Sequence, residues 1–451
     1  MQNDLTKGSI FHLIIRFSIP YLISCFLQTF YGLADLFIAG QFNGAAVISA
    51  VSIGSQVMHM VTVVLVGLAM GTTVTISRAV GAKMPDRAAK CIGNTILIFS
   101  MIAVALTIVL LIAENGIISI LSTPEEAVSE TYRYLVICFA GIPFITAYNI
   151  IASIFRGLGD SRRPMYFIAI AGVINIVLDY IFMGPLGMGA RGAALGTVLS
   201  QAVSVIVSLI AIVKLDFGMK LRRADAKPDS SMIRTILKTG FPIACQDGFV
   251  QIAFLVITVI ANQRGVVAAA SVGIVEKIIS FLFLVPSAML STVSVISAQN
   301  AGAGLHERGL KTLKYALIIC WTFGAVITVI CQFEAEGFIR LFSPNNDEVV
   351  RMGAQYLRSY VFDTIFAGTH FCFSGYFTAY NRAILSFIHN AVSITTARIP
   401  LAYLFSKMYP TTLWPMGWAT PIGSAESAIL CVIFFAAWHK KWIAEEETPQ
   451  S

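Results

Sequence analysis

The sequence predicts an all-α integral membrane protein: twelve transmembrane helices in two pseudo-symmetric six-helix lobes. Three observations carry this. Of 451 residues, 57% are hydrophobic and only 12% charged, whereas a soluble protein needs about 25% charged residues to cover its surface. The apolar residues gather in runs of about 20 or more, long enough to cross a bilayer as helices. And the chain echoes itself. Gly81-Ala82-Lys83-Met84-Pro85-Asp86-Arg87 reappears 221 residues later as Gly302-Ala303-Gly304-Leu305-His306-Glu307-Arg308. At the same offset FRGLGDSRRP (155–164) aligns loosely with YFTAYNRAIL (376–385), and near it Phe17-Ser18-Ile19-Pro20 aligns with Thr239-Gly240-Phe241-Pro242. Two related halves in a membrane chain point to a duplicated transporter core with its site between the halves. A transmembrane barrel would instead show shorter, alternating strands.

The predicted spans follow in order. The first, roughly 11–39, contains Pro20, Gln28 and Asp35; the second, roughly 46–76, contains a Gly67/Gly71 pair for close helix packing. The third to sixth cover roughly 92–113, 132–155, 165–184 and 192–213, with Gly192/Gly196 opening the sixth. Lys214 to Lys238 is the long polar, basic connection, centred on Pro228, Asp229, Ser230 and Ser231. It predicts an N-terminal lobe over 1–214, a cytoplasmic linker over 215–234 and a C-terminal lobe over 235–451. The second lobe holds spans at roughly 235–261, 267–297, 311–332, 352–380, 384–406 and 414–438. Six spans per lobe is an even number, so the repeats are parallel.

The net charge of +7 records orientation. With both termini inside, most Lys and Arg fall at cytoplasmic ends, among them Arg78, Lys83, Arg87, Lys90, Arg156, Arg162, Arg163, Lys220, Arg222, Arg223, Arg308, Lys311, Lys440 and Lys441. Arg191, Arg264, Arg340, Arg351 and Lys407 fall on the outer side. The basic residues are spread over several loops rather than one stripe, which argues against a nucleic-acid partner. The N-terminus shows no short apolar region with a small-residue cleavage site, so no removable signal peptide is expected. The eight cysteines form no C-x-x-C pair and read as apolar packing. Gly187-Met188-Gly189-Ala190-Arg191-Gly192 fits G-x-G-x-x-G but lies in a turn between membrane helices, with no strand before it. No G-x-x-x-x-G-K-[ST], H-E-x-x-H or G-x-S-x-G occurs, so neither a nucleotide-driven pump nor an intramembrane enzyme is expected.

Ionisable groups inside a bilayer are costly and usually functional. Asp35 and Asp179 each lie about five residues from the outer end of their helix, and so at similar depth. Asn175 precedes Asp179 by one turn on the same face, and Thr197 reaches that level from the sixth span. Carboxylates, amide and hydroxyl together suit a hard cation such as Na+. Two close carboxylates equally suit a proton. The second lobe has its own buried acids, Asp247, Glu276, Asp363 and Glu426, which do not repeat the first-lobe positions. They suit a second cation or a cationic substrate, and Lys277 and Arg398 offer them internal partners. His59, His370 and His389 read as isolated, hydrogen-bonded histidines, with His370 placed to line a cavity. Pro20 and Pro242 each remove a helical hydrogen bond and permit a kink, and Pro20 is the candidate hinge.

Six motifs in order resemble the multidrug and toxin extrusion (MATE) family over nearly the whole chain: QTFYGLADLFIAG, SRAVGAKMPDRA, FRGLGDSRRP, NIVLDYIF, GARGAALGTV and SAQNAGAG. Within the family, the polar set Gln28, Asp35, Tyr134, Asn149, Asn175, Asp179 and Thr197 is similar to that of the DinF-like branch. The resemblance implies the MATE/MOP fold and no cofactor beyond a coupling Na+ or H+. It implies cation binding at Asp35, Asn175, Asp179 and Thr197. Gln28, Tyr134 and Asn149, with Asp247, Glu276 and Asp363, would form the substrate and cavity network. Ala152 stands where a second asparagine is frequent. Val250 stands where another branch carries a coupling glutamate, with Gln251 beside it and Asp247 one turn earlier. The implied activity is antiport of amphipathic, often cationic organic compounds by rocking of two lobes in the plasma membrane. A single chain already holds both lobes and suffices as a monomer. The alternative is a flippase for a lipid or lipid-linked saccharide.

Overall fold

The computed structural model describes residues 4–121, 123–214, 222, 225 and 227–447. Lys220, Arg223 and half of the expected linker lie outside them. Helices follow one another along the chain: α1 (Ile10–Phe42), α2 (Ala45–Gly81), α3 (Pro85–Ile120), α4 (Glu125–Ala140), α5 (Ile142–Gly157), α6 (Arg162–Met183) and α7 (Ala190–Lys214). The second half holds α8 (Ser230–Asn262), α9 (Val266–Leu282), α10 (Leu284–Gly302), α11 (His306–Arg340), α12 (Asp347–Tyr360) and α13 (Asp363–Ala379). It ends with α14 (Ala383–Ser393), a π-helical turn (Ile394–Arg398), α15 (Ile399–Met408), α16 (Trp414–Gly417) and α17 (Ala419–Glu447).

The twelve expected spans coincide with helical runs. Among the described residues, nine runs are long and apolar enough to cross a membrane, two of them joining consecutive helices, α9–α10 and α16–α17. A tenth is the α4–α5 pair, bent by 49° at Gly141. The other two are interrupted: α12 gives way to α13 at Val361–Phe362, and the run from Ala383 to Met408 carries the π-turn. Both interruptions adjoin a charged residue, Asp363 and Arg398.

The chain divides into two compact units. One holds Ile19–Gly240, the other Leu5–Ser18 together with the chain from Phe241 onward. The start of α1 thus groups with the second half and the start of α8 with the first. Each change falls within two residues of a helix-interior proline, Pro20 or Pro242. In the first unit α8 begins at Asp229, whose carboxylate accepts from the backbone of Ser231 (2.8 Å) and Met232 (3.1 Å) as an N-cap. Asn94 of α3 holds the same helix end, accepting from the Asp229 N–H at 2.8 Å.

The repeated motif is a repeated helix stop. In the first half Lys83 N–H donates to Val80 O and Met84 N–H to Ala79 O. In the second, Gly304 donates to Ala301 and Leu305 to Asn300. This paired bonding requires a left-handed residue after the helix, supplied by Lys83 (φ 57°) and by Gly304 (φ 72°). The FRGLGDSRRP turn stops its helix in the same way at Gly159 (φ 86°), and its partner does so at Asn381 (φ 57°). Those two residues are 222 apart, so the offset of 221 slips by one there. The second-half turn is one residue shorter, and α6 and α14 restore the register.

Candidate functional site

Three helices of the first unit bring the predicted cation ligands together. Asp35 comes from α1, Asn175 and Asp179 from α6, and Thr197 from α7. The Asp35 carboxyl faces Asp179, Asn175 and Thr197, and Asn175 Nδ2 donates to Asp179 Oδ2 at 3.4 Å. Asp35, Asn175 and Asp179 are buried, 3%, 1% and 0% exposed. One buried oxygen on each of the four side chains has no hydrogen-bond partner: Asp35 Oδ1, Asn175 Oδ1, Asp179 Oδ1 and Thr197 Oγ1. Buried polar atoms are normally satisfied, because leaving one unpaired costs about 1–3 kcal/mol. Four converging acceptors fit a hard cation or a shared proton. Among the described residues, no group of three or more His, Cys, Asp or Glu forms a metal cluster, so the candidate ligand set is a carboxylate pair completed by amide and hydroxyl.

The backbone shapes this site at Gly196, where α7 passes over Asp179. A Cβ added there would stand 2.0 Å from Asp179 Oδ1. Gly192, one turn earlier, is less tight: a Cβ there would stand 3.0 Å from Phe182 and 3.2 Å from Met183 of α6. The G-x-x-x-G pair is therefore a packing motif, and it also carries α7 over the acid. Neighbouring groups extend the network. Gln28 and Gln201 both reach the Tyr31 hydroxyl. Tyr134 is buried and shares a 3.2 Å hydrogen bond with Ser55. Tyr31, Gln201 and Gly196 were not among the predicted residues; Tyr31 lies inside the QTFYGLAD motif and Gly196 inside the glycine pair, which were the available signals. Asn149 is buried, and its amide donates back to Ile145 O at 2.8 Å on its own helix. Pro20 O accepts from Ser24 Oγ at 2.9 Å.

The acids of the second unit are distributed differently from the expectation of four buried groups. Asp363 is buried, but Asp247, Glu276 and Glu426 are half-buried. The cause is that the last three lie on faces left partly open, while Asp363 starts α13 inside the bundle. Glu426 accepts from Thr396 Oγ1 at 2.9 and 3.0 Å, and Glu276 Oε2 accepts from Thr258 at 3.3 Å. Neither oxygen of Asp363 has a hydrogen-bond partner. The histidines also differ from expectation. His59 is exposed, and His370 and His389 are not isolated, their rings standing 5.7 Å apart. His389 is held by Ser374 (2.9 Å) and Ser427 (2.6 Å), while His370 Nδ1 is unpartnered.

Repeated halves of membrane-spanning helices, with an unsatisfied acid pair buried in one, define a secondary transporter. The chain belongs to the MATE family of multidrug efflux transporters, a family of cation-coupled antiporters: the MatE family model matches residues 20–181 and 242–404. Similar relatives include the probable multidrug resistance protein YpnP of Bacillus subtilis, 27% identical over 442 residues and 98% of each chain. The probable multidrug resistance protein NorM of Thermotoga maritima is 26% identical, over 96% of this chain and 94% of its own. Solved structures establish the fold. A MATE crystal structure in complex with MaL6 superposes with a TM-score of 0.90 at 22% identity, covering 99% of both chains. An outward-facing multidrug resistance MATE transporter of the MOP superfamily gives 0.89 at 22% identity, over 99% of this chain and 98% of its own. The protein is a multi-pass membrane transporter, not an enzyme.

Proposed function

We propose that the protein couples entry of Na+ or H+ at Asp35, Asn175, Asp179 and Thr197 to export of amphipathic, often cationic drug-like compounds. The observation that carries this reading is the set of four buried, unpaired oxygens on α1, α6 and α7. Cation binding would neutralise a carboxylate pair that two negative charges make unfavourable. Coupling requires the cation to bind two conformations with different affinity, because equal affinity shifts nothing. Asp35 lies beyond Pro20 on one helix, so bending at Pro20 changes its position relative to α6 and α7. The reading places the chain in the DinF-like branch, with six-helix lobes at 1–214 and 235–451 joined by 215–234. Both termini face the cytoplasm and the monomer is the working unit.

Dye efflux from everted vesicles, with an imposed Na+ gradient and then an imposed proton gradient, tests this. Efflux driven by one gradient identifies the coupling ion. No efflux of cationic dyes under either gradient would favour lipid flipping, which accumulation of a labelled lipid precursor would then register.

A further inference from the structure

The second unit holds a charge arrangement that the proposed coupling site does not use. Arg398 ends the π-helical turn between α14 and α15 and is 7% exposed. A π-turn inserts a residue and re-aims the side chains around it. The guanidinium donates to the Tyr360 hydroxyl at 3.2 Å and stands 4.7 Å over the Phe254 ring. Its Nε is buried without a partner. Tyr360 closes α12, three residues before Asp363. Phe254 lies one turn before Thr258, whose hydroxyl touches Glu276. Arg398 Cβ packs against Gly423, next to Ser424, whose hydroxyl faces Asp363. Asp363, Glu276, Tyr356, Tyr360 and His370 all lie within electrostatic reach of Arg398. Among the described residues no carboxylate forms an ion pair with it.

In the repeat, the position matching Arg398 at the offset of 221 is Val177, two residues before Asp179. The two charges do not share a position: Asp179 matches Pro400, so the base stands two residues before the place of the acid along the corresponding helix.

We propose that Arg398 is a resident cation of the second unit, and that it determines which half binds the coupling ion. A guanidinium cannot lose its charge in a protein and cannot leave its tether. It counters Asp363 and Glu276 permanently and so excludes a mobile cation from Asp363. At the effective dielectric of a protein interior, a fixed charge of the same sign nearby weakens cation binding. Arg398 is here a specificity-determining residue. This inference rests on the proposed assignment of coupling to Asp35 and Asp179.

The test counts cations on the purified full chain in detergent, using radiolabelled Na+ and proton release on the same samples. Asp35→Asn removes the first-unit signal. Asp35→Asn with Arg398→Gln is expected to regain cation binding, and adding Asp363→Asn is expected to remove it again. Arg398→Lys keeps the charge and is expected to regain nothing. A folded Asp35→Asn/Arg398→Gln protein that binds no cation overturns the proposal. So does an Asp35→Asn protein whose remaining cation is lost on Asp363→Asn while Arg398 is in place. If Arg398→Gln fails to fold, Asp363→Asn alone decides: an unchanged cation count supports the proposal and a lower one overturns it. Full cation binding in Asp35→Asn that Asp363→Asn does not alter removes the first-unit assignment instead. The difference between Arg398→Gln and Arg398→Gln/Asp363→Asn then still decides the role of Arg398.

Discussion

The two halves of this transporter repeat their helix stops but not their charges. In the first, α6 turns Asp179 toward Asp35, and four oxygens are left unpaired. In the second, the matching run from Ala383 to Met408 is interrupted by a π-turn and presents Arg398 to Tyr360 and Phe254. Duplication preserved what backbone bonding demands, a left-handed residue closing each helix, through Lys83 and Gly304 or Gly159 and Asn381. The buried polar groups were free to diverge, since each half needs only internally consistent electrostatics. On the proposed reading, the first half keeps an open acid pair while the second carries its own buried arginine.

The comparison breaks most severely at the acid pair. Asp35→Asn or Asp179→Asn is expected to abolish gradient-driven drug resistance while expression stays intact, read by growth on a cationic drug beside an immunoblot. Normal resistance in both would remove the site. The next effect is in the second unit. Tyr360→Phe strips Arg398 of its hydroxyl partner, and a buried charged hydrogen bond of this kind is worth about 1.5–3 kcal/mol. A lower thermal midpoint in detergent with an intact coupling-ion preference is expected; an unchanged midpoint would show that the contact contributes nothing.

A subtler break separates site from scaffold. Gly196→Ala sets a methyl group against Asp179 Oδ1, and rotation of that short side chain relieves the clash. Cation affinity should fall more than thermal stability, as measured by Na+ or proton titration and by unfolding. Equal losses would make Gly196 a packing residue alone. The smallest effect lies outside the membrane. The Lys90 ammonium, helped by the Met232 and Ser231 N–H groups, holds the Asp229 carboxyl below its usual range. A lowered value in the folded state stabilises above the ordinary carboxylate range and loses that contribution as pH falls through the lowered value. Asp229→Asn should therefore cost a little stability at neutral pH and nothing in strong acid, and a pH series of thermal midpoints would show it.

Much of this is legible in the sequence. Hydropathy and the Gly81–Arg87 echo gave the helical, duplicated architecture, and equal depth along two helices paired Asp35 with Asp179. Asn175 followed from helical spacing. What stayed hidden depends on tertiary approach. Spacing along one chain cannot say that Gly196 lies over Asp179, that His370 meets His389, or that Arg398 stacks on Phe254. Nor can it separate the buried Asp363 from the half-buried Asp247, Glu276 and Glu426, because all four look alike inside apolar runs. The one-residue slip at Asn381 was invisible for the same reason. A loose alignment matches letters, while the turn is defined by its hydrogen bonds.

The central claim is that coupling resides in the first half alone. Its most direct test is efflux from proteoliposomes under an imposed cation gradient, with Asp35→Asn and Asp363→Asn measured side by side. The account predicts that Asp35→Asn no longer responds to the gradient. It predicts that Asp363→Asn, whatever its rate, still does. A gradient response kept by Asp35→Asn and lost by Asp363→Asn would contradict it.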